Sequence, residues 1–211
     1  MGVIMHKEVN PGCTLGIWDI REDYETLLSG LELSGEENQR LQSFRNHNRK
    51  LEWLSVRALA KEMTGKQTRI IYNSERKPFL YDRSSQISIT HSHNYTAILL
   101  SKSRRVGIDL EYMSHRINKI RDKFIHESEK ITHNPVKLRY HLYIHWCAKE
   151  SLYKICDKQG LVFNRNLVIE PFIPADKGTL KGSITGSGAF DESFKMEYFR
   201  KNNYVIVWCC K

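Results

Sequence analysis

No run of about 18 apolar residues occurs anywhere in this sequence, and its first residues, MGVIMHKEVNPG, lack the apolar core of a secretory signal. Export and membrane insertion find no support, and the expected compartment is the cytoplasm. Cysteine is scarce: the five residues Cys13, Cys147, Cys156, Cys209 and Cys210 are odd in number, with no CxxC pair and no Cys/His spacing that suits zinc. They are expected to be reduced and structural. Signatures of RNP, KH, zinc and helix-turn-helix modules are absent as well, which weighs against a nucleic-acid-binding protein. What the 211 residues do hold is 40% hydrophobic content, enough for the core of one medium domain or two small ones, and a formal charge of +9. That charge implies an anionic partner: nucleic acid, an anionic membrane, a phosphorylated small molecule or an acidic protein.

Gly16–Ile20 reads as a short strand, and Leu27–Leu41 as an exposed helix and turn. Across Asn46–Thr64, Leu51, Leu54, Ala58, Leu59 and Met63 recur at helical spacing, and Gly65 ends the helix. Ile87–Leu100 holds two β-rich runs split by His-Ser-His-Asn, and Arg105–Glu111 gives another strand; these are expected to pair as one small antiparallel sheet. Helical pattern returns over Ile117–Lys158, interrupted at Thr132–Pro135 and longest over Val136–Ile155. After Gly160 come the strand-like segments LVFNRNLVI, KGSITGSG, FKMEYFR and NNYVIVWCC. Helix followed by strands thus occurs twice, without visible sequence identity between the halves, so an α+β chain divided into residues 1–103 and 104–211 is expected.

Asp109 and Glu111 lie two apart on a strand, which puts both carboxylates on one face, within reach of a single hard cation. The ordinary reading of such a pair is solvated surface. Glu150, in WCAKESLYK, follows Lys149 and stands four residues before Lys154, and its ordinary reading is a helix ion pair. His91 and His93 flank Ser92 after Thr90; a phosphate-contacting or simply exposed pair fits them better than a metal site, for lack of a third ligand. Arg49 and Arg57 sit two helical turns apart on about the same face. Lys77-Pro78 joins a cation to an extended backbone, as suits a loop edge that meets a ligand.

Taken in order, these segments resemble Sfp-type 4'-phosphopantetheinyl transferases. GIDLE (Gly107–Glu111) and WCAKESLYK (Trp146–Lys154) are similar to the family's GxD-x-E and W-x-x-KE-x-x-x-K pair. RKLEWLSVR (Arg49–Arg57), KPFL (Lys77–Leu80) and ITHS (Ile89–Ser92) resemble its first-helix, Lys-Pro and Ser-His-Ser elements. The resemblance covers roughly residues 45–160 and implies two similar α+β halves related by a pseudo-twofold, with coenzyme A in the cleft between them. It also implies a reaction: transfer of the phosphopantetheine arm of coenzyme A to a serine of an apo acyl or peptidyl carrier protein. Asp109, Glu111 and Glu150 would hold Mg²⁺, with Mn²⁺ equally suited to oxygen ligands. Glu150 would take the serine proton, and Lys154 would meet the leaving phosphate. Lys149 would stand near the same phosphates; Arg49, Lys77, Pro78, Thr90 and His91 would form the coenzyme A pocket, and Arg57, which matches the motif too, would serve either that pocket or the structure. A monomer is implied, with neither nucleic acid nor membrane as partner. A non-catalytic binder of coenzyme A or carrier protein, or a basic nucleic-acid-binding protein, are the alternatives. Two residues depart from the pattern: Thr90 stands in place of serine, keeping a hydroxyl, and Arg76 stands where glycine commonly precedes Lys-Pro. The arginine alters the demands on that turn's backbone and offers a further phosphate contact.

Overall fold

In a computed structural model, which describes residues 2–156, 160–186 and 191–211, the chain divides into two units, Met1–Ser103 and Arg104–Lys211, each with its own apolar core. Both units are α+β.

Unit 1 opens with strands β1 (Val3–Asn10) and β2 (Cys13–Asp19), an antiparallel pair. Two short helices follow, α1 (Tyr24–Ser29) and α2 (Gly35–Ser43). A capping box starts α2: Ser34 accepts from the Glu37 amide, and Glu37 Oε2 accepts from the Ser34 amide. The long helix α3 (His47–Thr64) is capped by the Asn46 side chain and stopped by Gly65 at φ 69°, as the apolar spacing and the glycine predict. A small hairpin of β3 (Ile70–Tyr72) and β4 (Pro78–Leu80) comes next, then β5 (Gln86–Ser92) and β6 (Tyr95–Ser101). The main sheet runs β1-β2-β6-β5, antiparallel throughout. Helix α3 contacts β2 and β6 and buries Leu54, Val56, Leu59 and Ala60, each large aliphatic chain contributing about 1.5–3 kcal/mol. The contact is close enough that a Cβ on Gly16 of β2 would stand 2.4 Å from Met63 Sδ.

Unit 2 contains β7 (Val106–Tyr112), α4 (Ile117–Phe124), the 21-residue α5 (Pro135–Ile155), a single turn α6 (Phe163–Asn166), and strands β8 (Leu167–Ile169), β9 (Lys177–Ile184), β10 (Glu192–Lys201) and β11 (Tyr204–Cys210). Asn134 caps α5 and proline occupies its first turn, where a missing amide hydrogen costs nothing. The sheet order is β7-β11-β10-β9-β8, again antiparallel. Helix α5 lies on β7 and β11, with Leu142, Ile144, Cys147, Ala148, Leu152 and Ile155 wholly buried. The two units repeat one pattern: a strand, a long helix, then a hairpin whose second strand pairs with the first. In unit 1 it is β2, α3 and β5–β6; in unit 2 it is β7, α5 and β10–β11.

Two expectations need correction. Strand β7 does not join β5 and β6 but pairs with β11, because the last strand of the chain returns to lie beside it. In LVFNRNLVI only Leu167–Ile169 is strand, since Phe163–Asn166 closes a helical turn. Strand β1 gives no sequence signal, because its partly exposed, mixed sequence shows no clean apolar alternation. The parts of the helical stretch at 157–158 and of KGSITGSG at 187–188 lie outside the described residues.

Unit 2 also encloses a charged cluster. Lys149 and Glu129 are wholly buried, with Lys149 Nζ 2.9 Å from Glu129 Oε2. The ammonium further donates to Phe124 O (2.5 Å) and Phe163 O (3.1 Å), so its three hydrogens meet three acceptors. The carboxylate accepts from the amides of His126 (2.8 Å) and Ile169 (2.7 Å). One ion pair thus fastens the end of α4, the following turn, α5, α6 and β8. Burial pushes the Lys149 pKa down, against the attraction of Glu129. One and two turns earlier on the same stripe of α5, His145 and His141 pack against each other and against Phe172.

Burial, followed by the neighbouring His145, lowers the His141 pKa to about 4, while Glu129 acts in the opposite sense. An unfolded chain binds that proton near pH 6.5 whereas the folded one resists it until about 4, so stability falls as pH drops through this window. We expect urea denaturation to show about 1–2 kcal/mol less stability at pH 5 than at pH 7 from this residue, with a shallower loss in His141→Gln. Equal slopes in the two proteins would overturn the assignment.

Candidate active site

Strand alternation puts Asp109 and Glu111 on one face of β7, opposite Val207 and Val205 of β11. The side of α5 that meets this strand carries Cys147, Glu150, Ser151 and Lys154, spaced three and four apart. Gly107 fixes the distance between the two elements. A Cβ there would stand 2.2 Å from the backbone oxygen of Ser151, so any larger residue must push the helix off the strand. The glycine of GIDLE is therefore a packing requirement. Ser151 Oγ, 3.0 Å from Val207 O, ties the same turn of the helix to β11.

At this spacing Lys154 Nζ reaches Asp109 Oδ1 at 2.7 Å and Ile108 O at 3.0 Å. The helix ion pair expected between Glu150 and Lys154 is thus replaced by one from helix to strand. Glu150 has its pKa raised to about 7, first by burial and then by the negative charge of Asp109, with Glu111 adding to it and Lys154 opposing. Burial likewise pushes the Cys147 thiol well up, as do Asp109 and Glu111. Three carboxylates and one ammonium share this end of unit 2.

The arrangement lies inside a recognisable domain. Residues 105–209 match the family model of the 4'-phosphopantetheinyl transferase superfamily. No curated protein matches the chain. The superfamily is one of transferases, and the matched span covers nearly all of unit 2 while unit 1 lies outside it. Among the described residues no helix is long and apolar enough to cross a membrane.

Among the described residues no three His, Cys, Asp or Glu side chains stand close enough together to form a ready-made metal cluster. The acidic groups of the matched span nevertheless have the character that a hard divalent cation needs. Their donors are oxygens, their charge exceeds that of the one ammonium beside them, and burial together with the charge of Asp109 raises the Glu150 pKa. Lys154, on Asp109, supplies positive charge where a cation would.

Lys149 goes elsewhere. Expected beside the phosphates, it is turned about 100° around the helix from Glu150 and is consumed by Glu129. Arg57 is equally committed, buried in unit 1 with Nε 3.0 Å from Glu37 Oε1 and its guanidinium stacked on the Trp53 ring. Burial pushes its pKa down, while Tyr72 and Glu37 oppose. Arg49, by contrast, is exposed and meets His91: Nη1 donates to His91 Nε2 at 2.5 Å and to Glu52 Oε2 at 2.9 Å. Thr90 is buried on β5 opposite Ala97. The Lys77 amide donates to Asn73 Oδ1, and Pro78 opens β4 opposite Tyr72.

Sequence reasoning missed a groove of about 670 Å³ in unit 1, lined by Arg40, Arg49, Arg57, Arg69 and Arg76 together with aromatic side chains. Of these arginines, only Arg49, Arg57 and Arg76 belong to segments with a motif. Arg40 comes from α2 and Arg69 from the run before β3, segments without one.

Two substitutions test this geometry. Gly107→Ala should destabilise the protein by about 1–3 kcal/mol in a denaturant titration, since neither α5 nor β7 can yield without losing packing. Lys149→Met should cost about 3–5 kcal/mol by stranding the Glu129 charge, and adding Glu129→Gln should recover part of it. A Lys149→Met protein of wild-type stability would contradict the buried pair.

Proposed function

We propose that the chain is a 4'-phosphopantetheinyl transferase of the Sfp type, moving the phosphopantetheine arm of coenzyme A onto a serine of an apo acyl or peptidyl carrier protein and releasing adenosine 3',5'-bisphosphate. The observation that carries this reading is the gathering of Asp109, Glu111, Glu150 and Lys154 at one end of β7 and α5, within the span that matches the superfamily. Asp109, Glu111 and Glu150 would hold Mg²⁺ or Mn²⁺, which would draw charge from the pyrophosphate oxygens.

In the reaction the serine oxygen bonds to the phosphorus that bears pantetheine, and the bond from that phosphorus to the bridging oxygen breaks. The electron pair leaves with the bisphosphate. Glu150 takes the serine proton. Lys154 turns its ammonium to the departing phosphate and balances the charge gathering there. Arg49, Lys77, Pro78, Thr90 and His91 are the residues of unit 1 assigned to the nucleotide end, and the exposed Arg49–His91 pair supports that role for two of them. The charge of +9 suits both a polyanionic substrate and an acidic carrier surface. A cytoplasmic monomer belongs to the same reading.

The decisive experiment incubates the purified protein with coenzyme A, Mg²⁺ and apo carriers from fatty-acid, polyketide and peptide synthesis, and reads each carrier's intact mass. One added phosphopantetheine is expected, abolished by EDTA and slowed about hundredfold or more by Asp109→Ala. Coenzyme A binding without any transfer would make the protein a binder instead of an enzyme.

A further inference from the structure

The turn between β3 and β4 places an arginine where the backbone favours glycine. Arg76 has φ 64°, in the left-handed region that costs a side-chain-bearing residue about 1 kcal/mol or more. The turn does not depend on that side chain for its shape. Asn73 Oδ1 accepts from the amides of Glu75 (3.0 Å) and Lys77 (2.8 Å), while the Arg76 amide donates to Asn73 O at 3.0 Å. A strained residue that the surrounding hydrogen bonds do not require is a candidate for a functional one.

Arg76 lines the unit 1 groove, where five guanidinium groups face only the carboxylates of Glu36 and Glu37. Both acids are already engaged, Glu37 by Arg57 and Glu36 by Arg69. Arg49 is engaged by Glu52, and Arg40 lies over the Phe44 ring. No carboxylate among the described residues pairs with Arg76. The groove thus has uncompensated positive charge beside aromatic surface, which suits a phosphorylated planar base, and Arg76 sits at its rim with its hydrogen-bonding capacity uncommitted.

We propose that Arg76 is a specificity-determining residue that gives this groove its preference for a phosphomonoester. Resting on the transferase reading, it selects coenzyme A over 3'-dephospho-coenzyme A. A phosphomonoester carries close to two negative charges at neutral pH, and a guanidinium can meet two of its oxygens at once.

The test compares KM for coenzyme A and for 3'-dephospho-coenzyme A in wild type, Arg76→Gly, Arg76→Lys and Arg83→Gly. Arg83 is the control: it too has a positive φ, 54°, yet it stacks on Phe79 and does not line the groove. The wild type should favour coenzyme A, and Arg76→Gly should shrink that ratio by about fivefold or more through KM. Arg76→Lys should keep part of the preference, and Arg83→Gly should keep all of it. An undiminished ratio in Arg76→Gly, or an equal fall in Arg83→Gly, overturns the proposal. If the wild type modifies no carrier, the transferase reading fails separately, and calorimetry with adenosine 3',5'-bisphosphate against adenosine 5'-monophosphate still decides the role of Arg76. Tighter binding of the bisphosphate, lost in Arg76→Gly, supports it; equal binding of the two ends it.

Discussion

The missing side chain at Gly107 sets the distance between α5 and β7, and the electrostatics of unit 2's acidic end follow from that distance. Were the helix a methyl group further away, the Lys154 side chain would have to extend to keep Asp109 at hydrogen-bond length, and Glu150 would feel less of both neighbouring carboxylates. Sheet and helix are therefore more than a platform here. Their contact determines how strongly the charges interact, and Ser151, bonded towards β11, keeps the turn of helix opposite Gly107 from rotating.

Two consecutive residues of α5 show how one helix can serve opposite electrostatic ends. Lys149 is fully compensated, with three acceptors and a buried carboxylate, and its surroundings leave no demand for a further partner. Glu150, next in sequence, faces like charges and has a single cation nearby, which leaves the region short of positive charge. The first arrangement rigidifies and the second recruits. Because the compensated cluster fastens the end of α4, the following turn, α6 and β8 to α5, it also fixes the orientation in which Glu150 is presented.

Much of this was legible in the sequence where local rules suffice. The extent of α3, its Asn46 cap and its Gly65 stop follow from apolar spacing and cap chemistry. Strand alternation was enough to put Asp109 and Glu111 on one face. Partnerships across long separations were not legible. Nothing local reveals that Lys149 meets Glu129, twenty residues upstream in an irregular turn, when an adjacent glutamate and a nearby lysine offer a plainer helix pair. Nothing local to Arg57 shows that Glu37 and Trp53 enclose it. The pairing of β7 with β11 depends on a strand nearly a hundred residues later, and an edge strand as mixed as β1 gives almost no periodic signal.

The two oxygens of Glu37 serve different masters: Oε2 closes the capping box that begins α2, and Oε1 neutralises Arg57 within α3. A helix as short as α2 has little stability of its own. Since its cap and its anchor are one carboxylate, α2 cannot fray from its first turn without also exposing a buried guanidinium on its neighbour. Local opening of the short helix is thereby linked to the long one, and the two should exchange their amide hydrogens as a single cooperative block.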